Sequence, residues 1–243
     1  FTFLPKSLLI QFARLPNIYF LATAIIQSIP IISPLTSSSA IVPLIFVLSV
    51  SMIRELIEDL SRNKYDKLNN HEEVCVYRNN TFVRSISESL QVGELIIIYN
   101  NKTIPADTIL LDSALNEGIC YVETGSLDGE KTLKQKISNR LTNGVFRSLC
   151  NNNNSPETVI KDIKVKGFCQ CELPNTELHR LDGKIKIEIN HNQLNEYPIT
   201  ANQLLLKGSI VKQTGWALGF VLYTGLNNKI ILNSKRPRMK ISK

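Results

Sequence analysis

Two hydrophobic patterns divide the chain, and the change between them falls near residue 70. Asn17 to Leu35 is almost wholly apolar and uncharged, just long enough to cross a bilayer as a helix, with Pro30 and Pro34 placed to kink or end it. After the uncharged loop Thr36 to Ser39, a second apolar run extends from Ala40 to Ile53. Its length alone would suit a buried core helix, but Ile53, Leu56, Ile57 and Leu60 continue it at helical spacing. Arg54, Glu58 and Arg62 form i,i+4 pairs on the polar side. The pattern predicts two membrane helices, at about 17–35 and 40–57, the second running on as a stalk in water.

Beyond Val74 the period shortens to that of strands. Val74–Tyr77 and Phe82–Ile86 flank a turn at Arg78–Thr81 and predict a hairpin. Leu95–Tyr99 is a short run suited to a buried strand, and Ile104–Asp107 turns the chain into another at Thr108–Leu111. Cys120–Glu123, Lys164–Cys169, Gln203–Lys212 and Trp216–Thr224 add further candidates, and Leu178–Ile189 alternates around Asp182-Gly183 as a two-residue hairpin would. The segment after Leu133 is polar, and Asn151–Pro156 is a low-complexity loop inside an Asn-rich insertion at about 139–162. Many short strands without helical patterns between them predict a closed β sandwich or barrel over residues 71–234. The fold class is thus α+β: a helical membrane hairpin and stalk over residues 1–70, then a mainly β domain, then a basic tail at 235–243.

Charge orients the hairpin. Lys6 and Arg14 precede the first apolar run; Arg54, Arg62, Lys64 and Lys67 follow the second, and the connecting loop is neutral. By the positive-inside bias both ends of an integral membrane hairpin face the cytoplasm. The net charge is +7, but no basic run is interleaved with aromatics, which argues against nucleic acid as a partner. Cys75, Cys120, Cys150, Cys169 and Cys171 are odd in number and lack framework spacing, as reduced cytosolic thiols would. His71, His179 and His191 are isolated, so no metal site is expected. The first residue is Phe1 and the methionines are Met52 and Met239, which reads as an internal piece of a longer chain.

Two Asp-Gly pairs allow a comparison. Alternating apolar residues bracket Asp182-Gly183, as a structural hairpin demands. Asp128-Gly129 lies instead in Cys120–Lys134, CYVETGSLDGEKTLK, a small polar loop that places Asp128 and Glu130 after a strand-like run. Only this second pair is a candidate site.

Several segments in order carry a resemblance. They are TFLPKSLLIQFARLPNIYFL (Thr2 to Leu21), VPLIFVLSVSMIRELIEDLSRNKYDKLNN (Val42 to Asn70), IPADTILLDS, CYVETGSLDGE, CELPN (Cys171 to Asn175) and QLLLKGSIVKQTGWALGFVLYTGLNNKIILNS (Gln203 to Ser234). Together they resemble the type IV P-type ATPases, the phospholipid flippases. The resemblance implies an actuator domain, a distorted β jelly roll carried by the first two membrane helices, with the tail as a linker toward the next. It implies an ATP-driven pump that moves lipid to the cytoplasmic leaflet of the plasma membrane or an endomembrane. The pump would use ATP and Mg, neither bound by this fragment, which carries no Asp-Lys-Thr-Gly phosphorylation motif. Implied partners are a phospholipid, the pump's own phosphorylation domain and a single-span accessory subunit.

Carried over residue by residue, the family's Asp-Gly-Glu-Thr loop falls on Asp128, Gly129 and Glu130, with Lys131 in the threonine's place and Thr132 where Asn is usual. The resemblance gives Glu130 the role of orienting or deprotonating the water that hydrolyses an aspartyl-phosphate. Asp128 would hold the loop's shape through local hydrogen bonds, and Gly129 would offer close backbone approach and an unhindered N–H. Gln27-Ser28 falls on the family's lipid entry gate, since polar groups in a span usually face a path or a partner; packing between helices is the other reading. Asn17 and Tyr19 fit the membrane interface. Two alternatives stand: the actuator of a P-type cation pump, which Leu127-Asp128-Gly129-Glu130 and the lack of acids in the apolar runs argue against, and a truncated, non-catalytic membrane protein acting through interactions.

Overall fold

The computed structural model describes residues 3–29, 38–79, 81–139, 165–189 and 195–234. It divides into two units, Phe1–Asn69 and Asn70–Lys243.

The first unit is helical: α1 (Phe3–Phe12), α2 (Leu15–Gln27) and α3 (Ser38–Asn70). Helix α1 was not anticipated from the pattern. Pro16 stands in the first turn of α2, where its missing N–H has no helical partner to lose. The Asn17 amide is buried and donates to the Gln11 carbonyl at 2.8 Å, and the Ser7 hydroxyl donates to Glu55 Oε2 at 2.5 Å, joining α1 to α3. Helix α3 is unbroken through Arg54, as the periodicity predicts, and Glu58 pairs with Arg54 at 3.2 Å and Arg62 at 3.9 Å.

No helix among the described residues is long and apolar enough to cross a membrane, so the expected pair of spans is not confirmed. Helix α2 has 13 residues, and the apolar stretch of α3 gives way to Arg54, Glu55, Glu58, Asp59 and Arg62. Residues 30–37, with Pro30 and Pro34, lie outside the described residues, as do the Asn-rich loop Asn151–Pro156 and the tail 235–243.

The second unit is built on a six-stranded antiparallel sheet with the order β10-β4-β12-β3-β1-β2. Its strands are β1 (Glu73–Arg78), β2 (Thr81–Ile86), β3 (Leu95–Tyr99), β4 (Asp107–Ser113), β10 (Leu204–Leu205) and β12 (Trp216–Tyr223). Two three-stranded sheets accompany it. One has the order β11-β5-β6, from β5 (Ile119–Glu123), β6 (Leu133–Ile137) and β11 (Ile210–Lys212); the other is β7-β8-β9, from β7 (Val165–Cys171), β8 (Gly183–Ile189) and β9 (Asn195–Ile199). The result is a mixed α/β unit of antiparallel sheets, with short helices α4 (Gly125–Asp128) and α5 (Lys229–Asn233).

Alternation on the large sheet explains the arrangement. Ile97, Ile109, Leu111 and Leu218 join Ile185, Tyr197 and Ile199 of the β7-β8-β9 sheet in one buried cluster. Ile96, Ile98, Leu110 and Ala217 join Cys120, Val122 and Val211 of the β11-β5-β6 sheet in a second. Strands covered on both faces read as continuous apolar runs, which is why β3 and β4 are so plain in the sequence.

Two expectations change. The stretch Gln203–Lys212 is two strands on different sheets, because the chain turns between them, where the Lys207 amide donates to Asp107 Oδ1 at 2.9 Å. The expected closed β sandwich or barrel takes the form of these three antiparallel sheets. Asp182-Gly183 is also not a hairpin turn. Gly183 opens β8 opposite Cys171, and a Cβ there would lie 2.7 Å from the Gln170 carbonyl, so close approach of the backbone requires glycine. The residues before it form no strand, and Leu181 is buried in the core.

The long β7–β8 connection is instead tied down by Lys229, whose side chain is 0% exposed. Its ammonium donates to Asn175 Oδ1 at 2.6 Å, the Arg180 carbonyl at 2.9 Å and the Glu177 carbonyl at 3.1 Å, and it pairs with Glu172 Oε1 at 3.3 Å. Asp107 fixes the other side of this junction by accepting from the Lys229 amide at 2.6 Å. Burial pushes the Asp107 carboxyl up, and the bonds from the Lys207 and Lys229 amides oppose that shift. Removing one partner of a buried charged network leaves the others unsatisfied and typically costs about 3–5 kcal/mol. Lys229→Ala is therefore expected to lower the stability of this unit by about that amount in urea unfolding; a loss below about 1 kcal/mol would contradict the tether.

Candidate functional site

The loop from Thr124 to Lys131 joins β5 to β6. Strand β5 points Cys120 and Val122 into the core and ends at Glu123, just before the buried Thr124. One helical turn follows, with the Leu127 and Asp128 amides donating to the Thr124 carbonyl at 2.8 and 3.1 Å. Gly129 ends that turn at φ +79°, the left-handed conformation that glycine adopts without penalty. The Ser126 hydroxyl donates to the Gly208 carbonyl at 2.7 Å, tying the turn to the segment before β11.

Asp128 is the centre of the loop. Its Oδ2 accepts from the Thr124 hydroxyl at 2.9 Å and from the Lys134 ammonium; its Oδ1 accepts from the Glu130 amide at 2.9 Å. The Lys134 ammonium, then the Glu130 amide and the Thr124 hydroxyl, hold the Asp128 carboxyl down at about 2. The Asp128 carboxylate in turn raises Lys134. The same ammonium lies 3.4 Å from Glu130 Oε2. The Glu130 side chain is 61% exposed.

Asp128, Gly129 and Glu130 thus stand together, and one expectation for them is corrected. The Gly129 N–H donates to the Gly125 carbonyl at 3.2 Å, closing the helical turn, so it is not an unhindered donor. The space beside Gly129 is open, with no atom within 4 Å of a built Cβ, so its conformation and not crowding accounts for the residue.

Sequence reasoning missed Thr124 and Lys134. Thr124 lies one helical turn before Asp128. Lys134 was hidden in a segment read as polar, yet β6 pairs with β5 so that Lys134 faces Val122 and Lys136 faces Cys120. The lysines therefore occupy the sheet face that the apolar residues of β5 share, while Leu133 and Ile137 are exposed. Lys136 spends its amine on the Ala201 carbonyl at 2.8 Å, and burial pushes its pKa down. Lys134 reaches the loop.

The P-type ATPase actuator domain family matches residues 69–228, and the phospholipid-translocating ATPase N-terminal family matches residues 1–41. This chain belongs to the P-type ATPases. Proteins described as phospholipid-transporting ATPases are among those it is similar to. It is 35% identical over 243 residues to phospholipid-transporting ATPase IC of Homo sapiens, covering 100% of this chain and 18% of the relative. The corresponding protein of Xenopus tropicalis is 35% identical over 245 residues, with 100% and 18% covered. Probable phospholipid-transporting ATPase 12 of Arabidopsis thaliana is 37% identical over 242 residues, with 99% and 19% covered. The chain therefore spans less than a fifth of the length of these relatives.

In this P-type ATPase chain, the loop Thr124–Lys131 lies within the matched actuator domain. Gln27 and Ser28 belong to the helical unit. Gln27 Oε1 accepts from the Ser39 hydroxyl of α3 at 3.1 Å, and the Ser28 hydroxyl donates to the Ala24 carbonyl of its own helix at 2.8 Å.

The left-handed conformation at Gly129 yields a direct test. An L-residue with a Cβ pays for φ near +79°, and only Asn or Asp does so cheaply. Gly129→Ala is expected to destabilise the actuator unit by about 1–2 kcal/mol, and Gly129→Asn by less, in urea unfolding. Equal stability of the alanine variant and the parent would show that the turn does not need the left-handed state.

Proposed function

We propose that this chain is part of an ATP-driven phospholipid pump that moves lipid to the cytoplasmic leaflet, and that its actuator loop promotes hydrolysis of an aspartyl-phosphate. The observation that carries the reading is the exposed Glu130 carboxylate at the tip of a loop whose shape Asp128 fixes. The phosphoryl group would sit on a phosphorylation domain elsewhere in the pump. A water attacks its phosphorus in line, the bond to the aspartyl oxygen breaks, and inorganic phosphate leaves. Glu130 orients that water and takes its proton as the new bond forms. Asp128 and Gly129 shape the loop without touching the reacting atoms.

ATP and Mg would serve the phosphorylation step of the complete pump. Among the described residues, no group of three or more His, Cys, Asp or Glu side chains could hold a metal ion.

The helical unit would be the membrane part, with both of its ends cytoplasmic, in the plasma membrane or an endomembrane. Its support is the apolar surface that α2 and α3 expose, including Ile25, Val42, Phe46 and Ile53, together with the basic residues that flank the two runs. Gln27 and Ser28 would lie on the lipid path, where a headgroup would compete with Ser39 for the Gln27 amide. A single-span accessory subunit would complete the assembly.

Glu130→Gln in the complete pump is expected to slow dephosphorylation by about 10²–10⁴-fold and to accumulate phosphoenzyme, measured as acid-stable phosphate after labelling with ATP. Turnover at the parent rate would remove Glu130 from the mechanism. Lys131 is exposed at the tip, and Lys131→Thr is expected to keep the dephosphorylation rate within about a factor of three.

A further inference from the structure

Two carboxylates, Asp128 and Glu130, share one loop tip that must approach a phosphoryl group. Each repels the other and each repels the phosphate, so the tip needs a cation fixed in position. Lys131, Lys134 and Lys136 are the nearby candidates. Lys136 is committed to the Ala201 carbonyl, and Lys131 stands on the tip itself with an exposed side chain. Lys134 differs from both. Its backbone belongs to β6, in register with Val122 of β5, so the sheet sets where its stem begins. Its ammonium contacts Asp128 Oδ2 and lies 3.4 Å from Glu130 Oε2.

The two arms of this bridge are unequal. The Asp128 arm is the shorter, and the Thr124 hydroxyl and Glu130 amide also bind that carboxylate. The Glu130 arm is longer, and it ends on a largely exposed side chain. An exposed ion pair in water is weak and readily exchanged, whereas the charge-assisted bond to a carboxylate held by other donors persists. Glu130 can therefore leave Lys134 while Lys134 stays on Asp128.

We propose that Lys134 is the positioning residue of the dephosphorylation loop: anchored on Asp128, it holds Glu130 at the tip before docking and offsets the charge of the two carboxylates as the loop meets the phosphoryl group. This rests on the reading of Glu130 as the residue that activates water. Lys134 acts through Glu130 and does not touch the reacting atoms. Lys131, the departure visible in the sequence, is not the cation that the loop depends on.

The test compares phosphoenzyme decay after ATP withdrawal in the complete pump for Lys134→Met, Lys134→Arg, Glu130→Gln and the Glu130→Gln, Lys134→Met double variant. Lys134→Met is expected to decay about tenfold more slowly than the parent, with a raised steady-state level of phosphoenzyme. Lys134→Arg, which can span the same two carboxylates, is expected to restore the rate to within about threefold. The double variant is expected to decay as Glu130→Gln alone. A purely structural role for Lys134 would lower the phosphoenzyme level instead of raising it, and arginine would not rescue decay.

Decay of Lys134→Met at the parent rate, with Glu130→Gln stalled, would overturn the role of Lys134 and leave that of Glu130 standing. Normal decay in Glu130→Gln would overturn both. Where Lys134→Met forms no phosphoenzyme, Lys134→Gln takes its place in the same comparison: slow decay rescued by arginine supports the proposal, and parent-like decay overturns it.

Discussion

The Asp128 carboxylate is the constraint on which the candidate site turns. A hydroxyl from Thr124, an amide from Glu130 and an ammonium from Lys134 converge on its two oxygens. Those contacts come from three directions: the end of β5, the residue beyond the glycine, and β6 across the sheet. With Asp128 held, the helical turn ends at Gly129 and the chain leaves with the Glu130 side chain exposed. Without it, the turn would keep its backbone bonds but lose the side-chain links between its entry, its exit and β6.

That loop has a rigid base. The β11-β5-β6 sheet is packed through Cys120, Val122 and Val211 against one face of the six-stranded sheet, whose other face packs on β7-β8-β9. Ser126 adds a bond to Gly208 next to β11, so the turn is attached on both sides of its own sheet. At the opposite face, Lys229 and Asp107 fix the connections that close the unit. A site carried on strands buried in this way can be presented to another domain without first paying for order at its tip.

Much of this was legible in the sequence because burial on both faces leaves plain apolar runs, as at Leu95–Tyr99 and Thr108–Leu111. The candidate loop was legible because Asp128-Gly129 stands among small polar residues. Register was not. Lys134 and Lys136 face the side of β6 that usually carries apolar groups, so β6 read as polar loop, and the partner of both carboxylates went unseen. Strand β9 contains Pro198, which a strand tolerates at a sheet edge, and β9 lies at the edge of its sheet. Asp182-Gly183 misled because its composition suits a hairpin, but Gly183 is needed for close approach to Gln170. The free N–H expected of Gly129 was an error of local geometry, since a left-handed residue after one helical turn closes that turn with its own amide. The length of the apolar runs predicts membrane helices; no described helix is long and apolar enough to cross a membrane, and residues 30–37 of the runs and their loop lie outside the described residues.

Asp128 is held as an anion by its three donors before the loop meets any partner. A carboxyl whose folded value is depressed contributes stability above its ordinary range and loses that contribution as pH falls through the depressed value. For Asp128 the window runs from an ordinary value of 3.8 down to about 2. The direct measurement is the titration of the Asp128 side-chain carboxyl carbon by NMR in this chain. The midpoint is expected at about 2. A midpoint at the ordinary 3.8 would contradict it, because the carboxylate would then gain nothing from Thr124, Glu130 and Lys134.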